Sequence, residues 1–399
     1  MSSPLCIGID ARELLGETTG VGRYLGELLR RWTARTDGAA RRFILYSPEA
    51  LRLPLGEGLA ETRVVSGGTG TWWEQTALRK AVRGDRPDVF FAPAYTAPVG
   101  LGVPFALTIH DISFIAHPEW FRPRERLRRR WLTTHAARNA RVIFTDSEFS
   151  RSEIETRLKV EPQRVQVIPP GVASPGSRVL HPASRTPDPG SRTPDPGSHT
   201  PDPGARHPLV LFVGSLFNRR RLPDLIAAFA RAAATLPDAR LVIVGADRTW
   251  PAQDLGSVAA SCGAGAKVQV LSYVGEDELR DLYAHASVFA FLSEYEGFGL
   301  TPLEAWTAGV PIVVLDTPVA REVYAGAAEY VPCGDIEATA AALGRFLRSP
   351  AAGREQLARA PAVLARYSWE RAAEETLGHI ERVVKETGQE TGDGRQNTG

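Results

Sequence analysis

Val288-Phe289-Ala290-Phe291-Leu292-Ser293-Glu294-Tyr295-Glu296-Gly297-Phe298-Gly299-Leu300-Thr301-Pro302-Leu303-Glu304 holds a strand, a glycine turn and a helix start in one stretch. The apolar run 288–292 reads as a strand buried on both faces, as in a parallel sheet. Gly297 and Gly299 end it, and Pro302 stands where proline opens a helix. In open α/β sheets ligands gather beyond the carboxyl ends of the strands. Two carboxylates, Glu296 and Glu304, bracket the turn at that point. A carboxylate accepts several hydroxyl hydrogen bonds, and the N–H groups at a helix start near Thr301 attract an anion. Together they suit a ligand with both hydroxyls and phosphate, as a sugar nucleotide has. Glu304 has a second reading: Thr301-Pro302-Leu303-Glu304 is also a capping box in which Glu304 only satisfies backbone donors. Glu296 has no such local partner.

Outward from this stretch the pattern repeats. Strands are expected at 5–10, 43–46, 89–92, 105–110, 142–145 and 165–169, with helices at 21–33, 72–82, 124–139 and 148–158. A second series has strands at 209–213, 241–244, 268–271, 288–292 and 311–315, with helices at 223–235, 277–286, 302–307 and 336–347. Strands alternating with helices imply α/β domains with parallel sheets covered on both faces. Two such series suggest two facing Rossmann-like domains with a cleft between them, at 1–172 and 209–367. A terminal helix at 368–386, able to dock on either domain, and a disordered tail at 387–399 follow. Between the series, Ser184-Arg185-Thr186-Pro187-Asp188-Pro189-Gly190 recurs twice more, through Gly204. Proline and glycine at that density build no core, so 173–208 reads as a disordered linker.

The chain has 399 residues, 43% apolar and 23% charged, as a soluble globular protein does. Its net charge of +1 hides an asymmetry. Residues 1–172 carry 25 Lys and Arg against 19 Asp and Glu, whereas residues 209–399 carry 18 against 24. The N-terminal half is therefore expected to face an anionic partner. Three cysteines without a metal-ligand spacing suit a reducing cytoplasm. No signal-peptide pattern opens the sequence and no apolar run approaches the roughly 20 residues that span a bilayer. A cytoplasmic protein, at most peripheral on a membrane, is expected.

Other candidates lie at loops and strand ends. Gly20-Val21-Gly22-Arg23-Tyr24 leads into the first long helix, but too far from the first strand for a dinucleotide fingerprint. Its amides suit a phosphate or sugar, or form a simple turn. Asn218-Arg219-Arg220-Arg221 follows the first strand of the second series. Guanidinium forks there match a diphosphate, which favours Arg219 and Arg220 as its ligands over a plain surface charge run. His110 ends a strand facing the cleft and reads as either structural or functional. No Asp-x-Asp pair is present to hold a diphosphate through a metal. The segment containing Arg128, Arg129, Arg130 and Trp131 is basic and aromatic, with Leu127, Trp131 and His135 on one helical face. It suits an anionic lipid or acceptor, or a solvated surface, well ahead of nucleic acid.

With these residues assembled, the chain resembles the retaining glycosyltransferase family 4, of GT-B fold. The resemblance rests on Glu296-x7-Glu304 within Tyr-Glu-Gly-Phe-Gly-Leu-x-Pro-Leu-Glu-Ala, followed by Ala308-Gly309-Val310-Pro311. Thr19-Gly20-Val21-Gly22-Arg23-Tyr24, Trp73-Glu74-Gln75, His110-Asp111, Ile168-Pro169-Pro170-Gly171-Val172 and Tyr273-Val274 support it. Within the family it looks similar to mannosyltransferases that use GDP-mannose. The resemblance implies a nucleoside-diphosphate sugar as donor, GDP-mannose being favoured, a glycan or lipid-linked acceptor, retention at the anomeric carbon, and no metal or cofactor. Glu296 would hold the donor sugar, Glu304 the ribose, and Arg219 and Arg220 the diphosphate. Gly22 would approach the phosphates, His110 the transferred sugar and Val274 the base. Ser215, Gly297, Phe298, Gly299 and Leu300 complete the donor set. Many members have Arg where this chain has Ser215 and Lys where it has Arg220, a departure that Arg219 offsets.

Rivals share the fold: a sugar-nucleotide epimerase, a glycoside phosphorylase, or a silent partner in a glycan-assembly complex. A pyridoxal-dependent phosphorylase needs a Schiff-base lysine, and beyond the linker only Lys267 and Lys385 exist, neither in a suitable loop.

Overall fold

The alternation of strand and helix folds into two fully parallel sheets in a computed structural model that describes residues 4–16, 20–51, 60–174 and 208–393. The heptapeptide repeats lie outside those residues, as does Thr19 of the glycine motif. The first sheet has seven strands in the order β3-β2-β1-β4-β5-β6-β7. They are β1 Leu5–Asp10, β2 Arg41–Ser47, β3 Ala60–Val64, β4 Val89–Ala92, β5 Phe105–Thr108, β6 Val142–Thr145 and β7 Val165–Val167. The second has six, in the order β10-β9-β8-β11-β12-β13. These are β8 Leu209–Val213, β9 Arg240–Val244, β10 Val268–Leu271, β11 Val288–Phe291, β12 Ile312–Leu315 and β13 Glu329–Val331. Each order reverses once, between β1 and β4 and between β8 and β11. Doubly wound sheets open a ligand crevice at that reversal.

Two edge strands escape sequence reading. Ala-Glu-Thr-Arg-Val of β3 is largely exposed, and Glu-Tyr-Val of β13 spans three residues. An edge strand need not be apolar, so no run marks it. The helix expected at 72–82 starts earlier and changes pitch: Gly70–Trp73 and Arg79–Asp85 are α-helical, with a π turn at Glu74–Leu78 between them. Pitch changes of this kind are frequent at functional sites.

Alternate residues of the N-terminal strands feed two cores. Ile7, Ile9, Phe43, Leu45 and Phe91 pack on one face with Leu25, Leu28 and Trp32, whereas Ile44, Tyr46 and Phe90 pack on the other with Trp73, Leu78 and Ile154. This is the two-residue period of a pleated strand. The first core is completed by the last helix, Trp369–Asp393, through Leu377, Ile380 and Val383. Burying one such side chain fully stabilises by about 1.5–3 kcal/mol. Trp32 Nε1 donates to Ala373 O at 2.8 Å in the buried seam. The helix runs on to Asp393, past the tail boundary expected at 387.

Candidate functional site

The carboxyl ends of the two sheets meet face to face. Beyond β8, a short 3₁₀ turn, Asn218–Arg220, carries Arg219 and Arg220, both buried. Beyond β11, Ser293–Gly299 curls back over them. Glu296 pairs with Arg220, and its Oε1 lies 3.4 Å from Arg219 Nε. Ser293 Oγ donates to the same carboxylate. The Arg219 guanidinium lies 4.7 Å from the Phe217 ring centre, and that of Arg220 lies 4.4 Å from that of Phe291. Aromatic faces stabilise cations stripped of water. Burial nonetheless pushes the Arg220 pKa down to about 10, with Glu296 opposing the fall. Arg219 Nε and Arg220 Nε and Nη1 are buried and make no aligned hydrogen bond within the chain, although Nη1 approaches Glu296.

Facing them is the end of β5. His110 Nδ1 lies 2.8 Å from Asp146 Oδ2, and the ring meets Tyr24 edge-on with centres 5.0 Å apart. Burial disfavours a charge on His110, but Asp146 and Asp111 outweigh it and the pKa is raised. The other ring nitrogen, Nε2, is buried and makes no well-aligned hydrogen bond, and the Pro93 backbone also supports the raised pKa. Burial also raises the Asp111 carboxyl, yet Arg219 and two hydrogen bonds from Ser113 prevail and its pKa is lowered. Arg219 Nη1 donates to Ser113 Oγ at 3.0 Å, so the two edges share one polar network.

The closing contacts are specific. Ser147 Oγ donates to Gly297 O at 2.6 Å, and Ser150 Oγ donates to His110 O at 3.1 Å. Glu322 of the C-terminal lobe accepts from Glu148 N and Phe149 N at the start of helix Glu148–Leu158. A Cβ on Gly297 would sit 1.8 Å from His110 O, so only glycine allows this approach. Gly299, at φ 89°, turns the chain into helix Leu300–Thr307. That early start undoes the capping box: Gly299 is the N-cap, no side chain caps the helix, and Glu304 lies a turn inside. Instead Glu304 pairs across the cleft with Arg23, in the first turn of helix Gly20–Thr33.

Most of the expected donor residues therefore converge on one crevice. Gly22 is buried beside Arg23, while Ser215 and Leu300 are half-buried at the ends of their loops. Two of the expected donor residues are enclosed. Phe298 points into the core, edge-on to Tyr367 at 5.0 Å, and Val274 is buried in the same core. Apolar side chains so enclosed leave mainly backbone to a ligand. Arg128, Arg130 and Trp131 are exposed on helix Pro123–Asn139, and Trp131 stacks on His135 with centres 5.6 Å apart. Arg129 pairs with Glu125 and lies over the Phe121 ring.

Sequence reasoning missed a second polar cluster, at the carboxyl end of β1. Arg12 bridges Asp10 and Glu74, and Thr96 Oγ1 donates to Glu74 Oε2 at 2.8 Å. Asp10 and Glu74 are 3% and 2% exposed, and burial pushes the Asp10 pKa up to about 6 against the pull of Arg12. The neighbouring Tyr95, at φ 56°, packs its ring edge-on to His110 at 6.0 Å and so ties this cluster to the cleft. The signal was available in Asp10, a charged residue closing an otherwise apolar strand. Net charge by half does not describe the cleft itself. The N-terminal half meets the cleft with Asp10, Glu74, Asp111 and Asp146, while the paired arginines come from the acidic half. The N-terminal cationic surplus includes the exposed Arg124, Arg128, Arg130 and Arg138 of a single helix.

Two doubly wound parallel lobes meeting at their strand ends define the GT-B class of glycosyltransferases. Residues 18–174 match the model of Glycosyltransferase Family 4, and residues 202–361 match that of Glycosyl transferases group 1. The chain belongs to glycosyltransferase family 4 and resembles its mannosyltransferases. It is 25% identical over 374 residues to O-antigen chain mannosyltransferase B of Escherichia coli, covering 90% of this chain and 95% of that one. It is 32% identical over 178 residues to the GDP-mannose:cellobiosyl-diphosphopolyprenol alpha-mannosyltransferase of Komagataeibacter xylinus, a match covering 44% of this chain and 45% of the relative. Among solved structures, the fold matches Anabaena HepE in complex with UDP and glucose, with a TM-score of 0.68, 16% identity and coverage of 95% and 100%. Among the described residues no helix is long and apolar enough to cross a membrane.

Proposed function

We propose that the chain is a retaining hexosyltransferase that moves mannose from GDP-mannose to a glycan or lipid-linked acceptor, with no metal or cofactor. The observation that carries the reading is the pair of buried guanidinium groups at the β8 end, with unaligned N–H groups beside Glu296. A buried donor without a partner costs about 1–3 kcal/mol. Diphosphate oxygens would satisfy these donors at the crevice where an α/β sheet takes its ligand. The relatives support the same reading, two being named for mannosyl transfer and one for GDP-mannose.

On this reading the C–O bond from the anomeric carbon to the diphosphate breaks, and charge accumulates on the leaving phosphate. Arg219 and Arg220 meet that charge with donors already in place, which supplies catalysis without reorganisation. Glu296 accepts hydroxyls of the donor sugar and fixes its orientation. The acceptor hydroxyl attacks from the side of the leaving group, which takes its proton, so configuration is retained. His110 lies on the facing edge by the transferred sugar. Arg128, Arg129, Arg130 and Trp131, with the exposed Leu127, rest on an anionic membrane surface that presents lipid-linked acceptors.

The test is release of GDP and UDP from a panel of nucleotide sugars, by wild type and by Glu296→Ala. GDP-mannose should be the preferred donor, and the variant should lose at least about 100-fold in rate, the scale of one preorganised contact. Equal rates in both proteins would defeat the assignment. Proton NMR of the first product reads the anomeric configuration directly.

A further inference from the structure

Arg23 lies on a motif that brings the first long helix to the cleft, yet nothing above gives it a task. Its guanidinium pairs with Glu304, 281 residues away on the opposite lobe. Both side chains are largely shielded, at 18% and 9% exposure. The adjacent Tyr24 meets the His110 ring edge-on, so the first turn of this helix stands directly over the site. Among the described residues, the ionisable side chains whose charge couples to Glu304 are Arg23 and Tyr283 of helix Glu276–His285. The Tyr283 hydroxyl is buried and has no hydrogen-bond partner.

With Arg23 Nη1 on Oε1, Glu304 offers a ribose diol one free oxygen instead of the two that a bidentate grip on both hydroxyls uses. Yet it cannot stay ionised in so dry a place without a cation. Burial raises the Glu304 pKa, and the Arg23 charge opposes that rise. One residue therefore holds Glu304 in its hydroxyl-accepting form and also takes one of its two oxygens. A ligand that offers Arg23 another anionic partner would free that oxygen for the diol.

We propose that Arg23 is a partner-switching residue for the nucleotide: it guards Glu304 in the free protein and passes to the diphosphate when the ribose diol takes Glu304. This rests on the donor reading above and adds a residue from the opposite lobe to the nucleotide site. Because Arg23 belongs to the N-terminal lobe and Glu304 to the C-terminal one, the exchange keeps a charged link across the cleft in both states. Guanidinium suits the task because its fork pairs equally with carboxylate and phosphate.

The test is GDP affinity measured by calorimetry between pH 6 and pH 8.5 on wild type, Arg23→Met, Arg23→Lys, Glu304→Gln and the double variant Arg23→Met/Glu304→Gln. Each is first checked by circular dichroism for an unchanged fold. Arg23→Met should bind GDP about tenfold more weakly at pH 7, the worth of one charge-assisted contact. Glu304 accepts hydroxyls only when ionised, so affinity falls as pH drops through its pKa. Removing Arg23 raises that pKa, so the fall begins at higher pH in Arg23→Met than in wild type. Arg23→Lys keeps the charge beside Glu304 and so the wild-type pH profile, but lacks the fork and recovers only part of the affinity. In the Glu304→Gln background the pH-dependent part of the Arg23 effect disappears. Wild-type affinity and pH profile in Arg23→Met, or a loss that is independent of pH and of residue 304, overturns the proposal and leaves the donor reading standing. Failure of the wild type to bind either GDP or UDP removes the donor reading, and the proposal with it.

Discussion

The two lobes present opposite chemistries at the edges where they meet. The C-terminal edge is built on Arg219 and Arg220 around one acid, Glu296, whereas the N-terminal edge gathers Asp10, Glu74, Asp111 and Asp146 around His110 and Arg12. Net charge by half points the other way, with the cationic surplus on the N-terminal residues. The difference teaches that a site's potential is set by the few groups it desolvates. Exposed charges lie in high dielectric, where they are screened within about 10 Å. Buried ones interact far more strongly at the same spacing.

Removing the cationic edge should have the largest effect. Arg220→Ala takes away one of the two guanidinium groups and leaves Glu296 with Ser293 and a single, more distant cation, Arg219. Donor turnover should drop on the order of 100-fold. Arg220→Lys should recover little of it, because a point charge lacks the fork that grips two oxygens. Steady-state kinetics with GDP-mannose decide this, and full rescue by lysine would show that charge alone matters there.

Separating the two edges comes next. Gly297→Ala forces its new methyl against His110 O, a contact no side-chain rotation can relieve. The lobes must part, so small-angle scattering should report a larger radius of gyration and turnover should fall about tenfold, as misplaced reactants do. An unchanged radius with unchanged turnover would mean that the edges need not touch for reaction.

The smallest effect on turnover is expected at the acidic edge. Asp10 has a folded pKa of about 6 against an ordinary 3.8, because burial outweighs its pairing with Arg12. A carboxyl raised in this way contributes stability that is full below 3.8 and lost as pH climbs through about 6. Asp10→Asn should therefore be the more stable protein at pH 8, on the order of 2–3 kcal/mol, with the gap closing near pH 4. Chemical denaturation at the two pH values reads this. A variant less stable than wild type at pH 8 would show that the pairing with Arg12 outweighs desolvation.

Sequence reading reached the architecture because buried parallel strands leave an unbroken apolar signal, as in Val-Phe-Ala-Phe of β11. Glu296, Arg219 and Arg220 stand out in sequence for a related reason: charged residues in the short loop beyond such a strand lie where an α/β sheet takes its ligand. What stayed hidden depends on residues far apart in the chain. Nothing near Arg23 announces Glu304, and the local pattern Thr-x-x-Glu points Glu304 to a capping task that Gly299 takes over. Trp73-Glu74-Gln75 marked a helix and a family likeness, but its link to Asp10 through Arg12 needed the fold. The pitch change at Glu74–Leu78 likewise leaves no trace in apolar spacing that a regular helix would not.

The last helix carries a practical consequence for dissecting or recombining this protein. Chain leaves the second lobe, passes Gly171, whose missing side chain lets Trp369 lie against the backbone there, and finishes as a wall of the first. Anyone grafting a different C-terminal lobe onto this N-terminal lobe must therefore carry residues 369–393 along with residues 4–172, although the second lobe separates them in sequence. A fragment cut after the first sheet would expose Ile7, Leu25 and Trp32 to water and precipitate, and a chimera joined at the second lobe's final helix would inherit a mismatched seam. The unit of exchange here is spatial rather than sequential.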